Sequence, residues 1–227
     1  MSWALLRQFP PLVWTVILGT FMVRTSYYMV WPFLSILLYR EYGLSATAIG
    51  AMLGATAAIS TLVSFYGGWL SDKLGRRNIL LAGCLVSVLC YGLLGFSHSV
   101  LWLGLGVLGS GLSSGLIDAP GKALMADSLA SAKARELALH LRYFLLNLGA
   151  ALGPLLGVTL GISAQQQTFL LLSGSYLLLG AAFLWGFAQS RVVATHGSEL
   201  GLRAAIKVLW LRSEEHTSEL QSLSRIS

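Results

Sequence analysis

The sequence predicts an all-α membrane protein with six transmembrane helices, and three observations support this prediction. Of the 227 residues, 56% are hydrophobic and 11% are charged, whereas a soluble domain carries about 25% charged residues. Six apolar runs are each long enough to cross a bilayer, which takes about 20 residues. The basic residues lie almost entirely in the connections on one side of these runs.

The six predicted spans form a single bundle over residues 1–190. The first span begins after Arg7 and is far longer than the apolar core of a signal peptide, so we interpret it as a retained helix. The predicted spans are 12–39, 46–68, 78–97, 100–119, 139–161 and 168–190.

The distribution of charge predicts the orientation of the bundle. Cytoplasmic loops of membrane proteins carry an excess of lysine and arginine. If the N-terminus is cytoplasmic, the loops on the opposite side of the membrane carry a single lysine or arginine, Arg40. We therefore expect a multi-pass protein of the plasma (inner) membrane, and the net charge of +6 then needs no nucleic-acid partner. The cytoplasmic basic residues would be Arg7, Lys73, Arg76, Arg77, Lys122, Lys133, Arg135, Arg142, Arg191, Arg203 and Lys207.

A short cationic loop joins the second and third predicted spans. Residues 68–77 read Gly-Trp-Leu-Ser-Asp-Lys-Leu-Gly-Arg-Arg. This loop resembles the signature between helices 2 and 3 of the major facilitator superfamily of transporters. The resemblance implies the N-terminal six-helix half of a major-facilitator fold, which is built as a 3+3 inverted repeat. The residues that match fixed positions of the signature are Gly68, Asp72, Lys73, Gly75, Arg76 and Arg77.

Each residue type in the loop suits a conformational switch. Gly68 would let another helix approach closely, and Gly75 would allow the positive φ of a tight reversal. The resemblance implies that the loop docks on the other half of the transporter. It also implies that Asp72 and Arg76 belong to a charge network there.

The fifth predicted span carries a second motif. Gly149, Gly153, Pro154 and Gly157 resemble the antiporter motif Gly-x-x-x-Gly-Pro-x-x-Gly-Gly, although Val158 stands at its last position. The resemblance favours antiport. The fourth span departs from drug antiporters of the superfamily, because no basic residue occurs where those relatives carry an arginine.

One arginine lies deep in the first span. Arg24 is roughly 18 Å from Leu12 at 1.5 Å per residue, near the bilayer centre. Tyr27, Tyr28 and Trp31 follow it on the same helix face. Because a charge in the membrane is costly, we expect these four residues to line a substrate cavity. A structural arginine satisfied by backbone carbonyls is the alternative.

Two further polar residues lie within the spans. Asp118 closes the fourth span just before Pro120. We expect it to pair with a cation such as Lys122 or with the loop 68–77, and proton coupling is the alternative. Asn147 in the fifth span is expected to line the substrate path or to form a bond between helices.

Residues 212–222 break sharply with the composition of the chain. The stretch Arg-Ser-Glu-Glu-His-Thr-Ser-Glu-Leu-Gln-Ser resembles the translation of a common sequencing-library adapter. We therefore expect 212–227 to be an artefactual tail and 191–211 to be the start of a central cytoplasmic loop. The chain is then expected to be a fragment that lacks helices 7–12.

The sequence as a whole predicts a secondary active transporter of a small organic solute, working by alternating access as a proton-coupled exporter. The alternatives are a proton-coupled importer and a self-assembling six-helix half-transporter or channel. An intramembrane serine protease is excluded, because Gly111-Leu-Ser-Ser114 has no histidine in the sixth span to act as a base. No cofactor or metal is expected; the partners would be the solute, protons, lipid and the second half.

Overall fold

The computed structural model describes residues 3–162 and 165–189 of the chain. Within that range the chain forms α-helices joined by short connections and two 3-10 turns. The predictions for 191–211 and 212–227 concern residues outside the described range.

The helices follow one another with short loops between them. Six described stretches are long and apolar enough to cross a membrane, with α2 and α3 together forming the first. This confirms the predicted fold class. The helices are α1 (Trp3–Leu6), α2 (Pro11–Val30), α3 (Leu34–Tyr42), α4 (Ala46–Leu74), α5 (Arg76–Phe96), α6 (Val100–Ser128), α7 (Ala132–Thr159) and α8 (Phe169–Gln189), with 3-10 turns at Trp31–Phe33 and Gln166–Thr168.

The first span is interrupted near its middle by a proline. Pro32 has no backbone N–H to donate and clashes with the preceding turn of a helix. The chain tightens into the 3-10 turn Trp31–Phe33 and then resumes as α3. Gly43 ends α3 with φ of +63°, a left-handed conformation that glycine adopts without steric cost.

Helices α6 and α7 are longer than a bilayer core requires. They contain 29 and 28 residues, about 42 to 44 Å at 1.5 Å per residue. A hydrocarbon core of about 30 Å leaves the facing ends of both helices outside it. These ends carry Asp127 and Arg135, on the same side of the bundle as the turn between α4 and α5.

The packing of the helices follows an internal repeat. Helix α2 packs on α7 and α8, α4 packs on α6, and α5 packs on α6 and α8. If α2 is exchanged with α6, α4 with α7 and α5 with α8, each of these contacts becomes another contact of the same set. The two three-helix units also run in opposite directions across the membrane, which is the arrangement of an inverted repeat.

Glycines allow two of these helix pairs to approach at backbone distance. A Cβ placed on Gly111 in α6 would clash with the carbonyl oxygen of Thr56 in α4. A Cβ on Gly153 in α7 would lie 2.6 Å from the carbonyl oxygen of Thr25 in α2. Small residues bring helices together in membranes, where packing replaces the hydrophobic effect. These contacts fix the walls of the bundle interior.

Hydrogen bonds close the bundle at the end away from the α4–α5 turn. The hydroxyl of Tyr42 donates to Oε1 of Gln166 at 2.7 Å. Nε2 of Gln166 in turn donates to the carbonyl oxygen of Leu94 at 2.9 Å. The ends of α3 and α5 and the start of the sixth span are thereby held together.

Candidate functional site

A cavity of about 320 Å³ lies inside the bundle, between α2, α4, α5, α6 and α8. Its walls combine one arginine, a group of aromatic rings and a row of hydroxyl groups. We refer to it as the central cavity. No aspartate or glutamate is among its described lining residues.

Arg24 on α2 supplies the charge of the central cavity. Its guanidinium carbon lies 5.1 Å from the ring centroid of Tyr28 and 5.9 Å from that of Tyr27. The faces of aromatic rings attract cations at these distances. Nε of Arg24 is buried and has no hydrogen-bond partner within the described residues. The two rings therefore stabilise the charge without neutralising it.

Four aromatic rings from three helical segments form one wall of the central cavity. Tyr27 stacks on Trp31 with centroids 5.0 Å apart, and Tyr91 of α5 stacks on Tyr176 of α8 at 5.4 Å. Trp31 and Tyr91 meet edge to face at 6.5 Å. Stacked and edge-to-face pairs are the preferred geometries of aromatic rings. The wall is thus a continuous, ordered aromatic surface.

Hydroxyl groups of α4 and α6 form another part of the lining. The hydroxyls of Ser60 and Ser114 lie 2.7 Å apart and join the two helices. The Ser110 hydroxyl donates to the carbonyl oxygen of Val107 at 2.6 Å. The Thr56 hydroxyl donates to the carbonyl oxygen of Met52 at 2.8 Å. A hydroxyl can both donate and accept, so each of these groups keeps capacity for a polar ligand.

The structure brings together most of the residues predicted to line the cavity. Arg24, Tyr27 and Trp31 line it, whereas Tyr28 contacts Arg24 and packs against Gly153 of α7. Asn147 lies elsewhere: it is exposed, and its Nδ2 donates to the carbonyl oxygen of Tyr143.

Sequence reasoning missed the residues that complete the lining from other helices. Tyr91, Tyr176 and the four hydroxyl residues carry no motif that singles them out. Polar side chains within otherwise apolar runs are the signal that could have indicated them, because such groups in a membrane face a partner or a cavity.

The turn between α4 and α5 holds a second cluster of charges. Gly75 joins the two helices with φ of +89°. Nη2 of Arg76 lies 3.2 Å from Oδ1 of Asp72 and 2.8 Å from Oδ2 of Asp127. Asp127 stands at the end of α6 and was not predicted. Through Arg76 the turn is tied to a helix of the second three-helix unit.

The other residues of the turn lie at its surface. Arg77 is exposed, and Nζ of Lys73 lies 5.2 Å from the ring centroid of Trp69. No described atom lies within 4 Å of a Cβ placed on Gly68. The close helix contact is made instead by Gly67, where a Cβ would lie 3.0 Å from the carbonyl oxygen of Gly115.

Asp118 belongs to a third cluster, between α6 and α7. Its Oδ2 lies 2.6 Å from Nζ of Lys122, and its Oδ1 lies 2.5 Å from Nη2 of Arg142. The Arg142 side chain is 4% exposed, and its Nε and Nη1 have no hydrogen-bond partner in the described range. Asp118 therefore pairs with two cations: Lys122, as predicted, and the buried Arg142, which was not predicted as its partner.

Comparison of the sequence with known protein families shows which family the chain belongs to. The model of the Major Facilitator Superfamily matches residues 16–215, which is most of the chain. The chain belongs to the major facilitator superfamily. The resemblance drawn from the loop 68–77 is thus confirmed.

The chain spans less than half the length of the curated relatives it matches. An uncharacterized MFS-type transporter, YqjV of Bacillus subtilis, is 37% identical over 81% of this chain and 44% of its own. A Na(+), Li(+), K(+)/H(+) antiporter of Planococcus maritimus is 27% identical over 72% of this chain and 39% of its own. The multidrug resistance protein MdtH of Aeromonas hydrophila is 29% identical over 63% of this chain and 36% of its own.

A solved structure supports the fold. The crystal structure of a peptide transporter POT in complex with alafosfalin superimposes with a TM-score of 0.72 at 22% identity. The match covers 93% of this chain and 46% of that one. Six helices of the superfamily fold are therefore present in the chain described here.

The glycines of the fifth span that partly resemble the antiporter motif lie against the cavity helix. A Cβ on Gly149 would lie 3.1 Å from the backbone nitrogen of Thr25 in α2. Gly157 is buried about two turns further along α7. Pro154 lies inside α7, which continues to Thr159. The motif thus fixes how closely α7 can approach the helix that carries Arg24.

Proposed function

We propose that these six helices belong to a secondary active transporter that exports a small organic solute in exchange for protons. The observation that carries this proposal is the central cavity, which places a charged side chain and a ring surface inside a bundle of the superfamily fold. Transporters of this fold bind their substrates near the bilayer midplane between repeats. Arg24 and its aromatic neighbours would then contact the solute.

Export and proton exchange are supported by the fifth-span motif and by the relatives. One relative bears the name of a cation/proton antiporter and another that of a multidrug resistance protein. The motif residues Gly149 and Gly153 hold α7 against α2. Exchange would therefore couple a movement of α7 to the helix that carries Arg24.

Alternating access would use the charged turn as its switch. Arg76 is shared between Asp72 on α4 and Asp127 on α6, so a change of partner would alter how the two three-helix units meet at this end. The second six-helix half would complete the solute path, since the chain spans less than half of its relatives. The turn would lie on the cytoplasmic face of the inner membrane, as would the N-terminus.

Transport in proteoliposomes tests this proposal. Three probes share a naphthalene ring and differ in charge: naphthalenesulfonate, naphthalenesulfonamide and naphthyltrimethylammonium. The protein, expressed from its whole reading frame, should accumulate at least one of them in response to a pH gradient, and a protonophore should abolish this accumulation. Arg24→Ala should remove transport while leaving membrane insertion intact, whereas Arg40→Gln, an exposed change in the same span, should not.

Gradient-independent accumulation would contradict proton exchange. Wild-type transport by Arg24→Ala would contradict the role of the central cavity.

A further inference from the structure

We infer that the central cavity selects organic anions that carry an aromatic ring. This inference rests on the proposed transport function and names its substrate class. It follows from the charge, the ring surface and the hydroxyl groups that face one another across the cavity.

The charge of the cavity is positive and uncompensated. A guanidinium remains charged in proteins, and no described carboxylate lies within ion-pair distance of Arg24. The described ion pairs are formed by Arg76, Lys122 and Arg142. None of the described side-chain hydrogen bonds or ion pairs uses the guanidinium of Arg24, which lines the cavity. A carboxylate, sulfonate or phosphate group of a ligand would supply the absent acceptor.

The ring surface of the cavity suits a flat apolar group next to that anion. Tyr27 and Trp31 are stacked on each other, and Trp31 continues edge to face onto Tyr91. All three line the cavity together with Arg24. An aromatic ligand could therefore pack on this surface while its anionic group reaches the guanidinium. The cavity volume of about 320 Å³ lies at the small end of ligand pockets.

The hydroxyl groups add specificity for oxygen-rich anions. Ser60, Ser110 and Ser114 line the wall formed by α4 and α6. A hydroxyl rotates to suit its partner, so a ligand oxygen could take over the hydrogen that Ser110 donates to Val107 or the one shared by Ser60 and Ser114. A cationic ligand would meet Arg24 with like charge, and a neutral ligand would offer the guanidinium an acceptor without the opposite charge that strengthens the hydrogen bond. Both classes are therefore disfavoured relative to an anion of the same shape.

Equilibrium binding of the three naphthalene probes tests this inference without any gradient. Purified wild-type protein should bind naphthalenesulfonate at least about 10-fold more tightly than naphthalenesulfonamide or naphthyltrimethylammonium. Arg24→Gln should weaken sulfonate binding about 10- to 100-fold, the usual strength of a hydrogen bond to a charged group. The same change should alter sulfonamide binding by less than about 3-fold, and Arg40→Gln should alter neither.

A conservative variant guards against a folding defect. Arg24→Lys keeps the charge and should keep the preference for the sulfonate, even if Arg24→Gln proves unstable. The inference is overturned if the ammonium probe binds most tightly, if the sulfonate preference survives in folded Arg24→Gln, or if wild-type protein binds none of the probes.

The transport and binding assays separate the two proposals. Arg24-dependent sulfonate binding without gradient-driven accumulation would refute proton-coupled transport and keep the substrate class. Gradient-driven accumulation of the cation or the neutral probe alone would refute the substrate class and keep the transport function.

Discussion

Two arginines of the bundle, Arg24 and Arg142, meet opposite surroundings. Arg142 is 4% exposed, and a carboxylate oxygen of Asp118 lies 2.5 Å from its Nη2. Arg24 lies among aromatic rings in the central cavity, with no described carboxylate in reach. An arginine at the centre of a bilayer costs at least about 2.5 kcal/mol, which applies to Arg24, and a charge buried in protein is costly unless it is paired, which applies to Arg142.

The difference separates a structural charge from a recognition charge. The Arg142–Asp118 pair joins α6 to α7, two consecutive helices that otherwise touch little. Its partner is built into the protein, so nothing further need bind. Arg24 lines a cavity, and no described carboxylate pairs with its guanidinium. Changes at Arg142 should therefore affect stability most, and changes at Arg24 should affect binding most.

The largest effect is expected from removing the partner of Arg142. Asp118→Asn would leave the buried Arg142 guanidinium without its anion. Because the Asp118 side chain is itself 47% exposed, the cost in the free energy of unfolding should be about 2 to 3 kcal/mol, at or below that of a fully buried pair. Lys122→Gln removes the other cation that contacts the Asp118 carboxylate. Because the Lys122 side chain is partly exposed, this change should cost less than about 1 kcal/mol. Unfolding in detergent, followed by circular dichroism, measures both variants.

A double variant tests whether the cost comes from the unpaired charge. Asp118→Leu combined with Arg142→Leu should be more stable than Asp118→Asn alone, because no buried charge remains. Equal destabilisation of the double and single variants would show that packing, not charge, dominates at this site.

A smaller effect is expected where α7 supports the Arg24 site. Gly153→Ala would place a Cβ 2.6 Å from both the carbonyl oxygen of Thr25 and the Cβ of Tyr28. Overpacking of this kind costs about 1 to 3 kcal/mol, and it should also weaken naphthalenesulfonate binding, since Tyr28 lies beside the guanidinium. Gly174→Ala on α8 is the matched control, because nothing described lies within 4 Å of its added Cβ. Unchanged binding by Gly153→Ala would separate Tyr28 from recognition.

The smallest effect on stability is expected at the charged turn, where both carboxylates are partly exposed. Asp127→Asn removes the 2.8 Å contact of Arg76 with α6, and Asp72→Asn removes the local 3.2 Å contact. Each should cost less than about 1 kcal/mol. Transport should slow more in Asp127→Asn, because only this pair joins the two three-helix units. Equal transport rates in the two variants would argue against that role.

The sequence predicted what depends on spacing along one helix. The six apolar runs indicated the spans, and the +3 and +4 positions after Arg24 identified Tyr27 and Tyr28 as its neighbours. The expected pairing of Asp118 with a nearby cation such as Lys122 is also present. Gly75 was marked by the loop motif, and it adopts the positive φ of a reversal.

Contacts between distant segments could not be predicted in the same way. Asp127 is 51 residues beyond Arg76, and Tyr176 follows Tyr91 by 85, so their meetings depend on how the helices pack. The sequence also did not predict which face of a helix points toward its neighbour. Gly67 rather than Gly68 meets α6, because adjacent residues of a helix point about 100° apart.

Stabilisation by naphthalenesulfonate tests the contrast between the two arginines most directly. A ligand that binds only the folded protein raises its unfolding temperature. The shift should occur in wild-type protein and in Asp118→Asn, even though the latter starts from a lower temperature. It should be much smaller in Arg24→Gln at the same probe concentration, in line with about 10- to 100-fold weaker binding, while the unliganded stability of this variant should stay close to that of the wild type. An undiminished shift in Arg24→Gln would contradict the assignment of Arg24 as the charge that recognises the ligand.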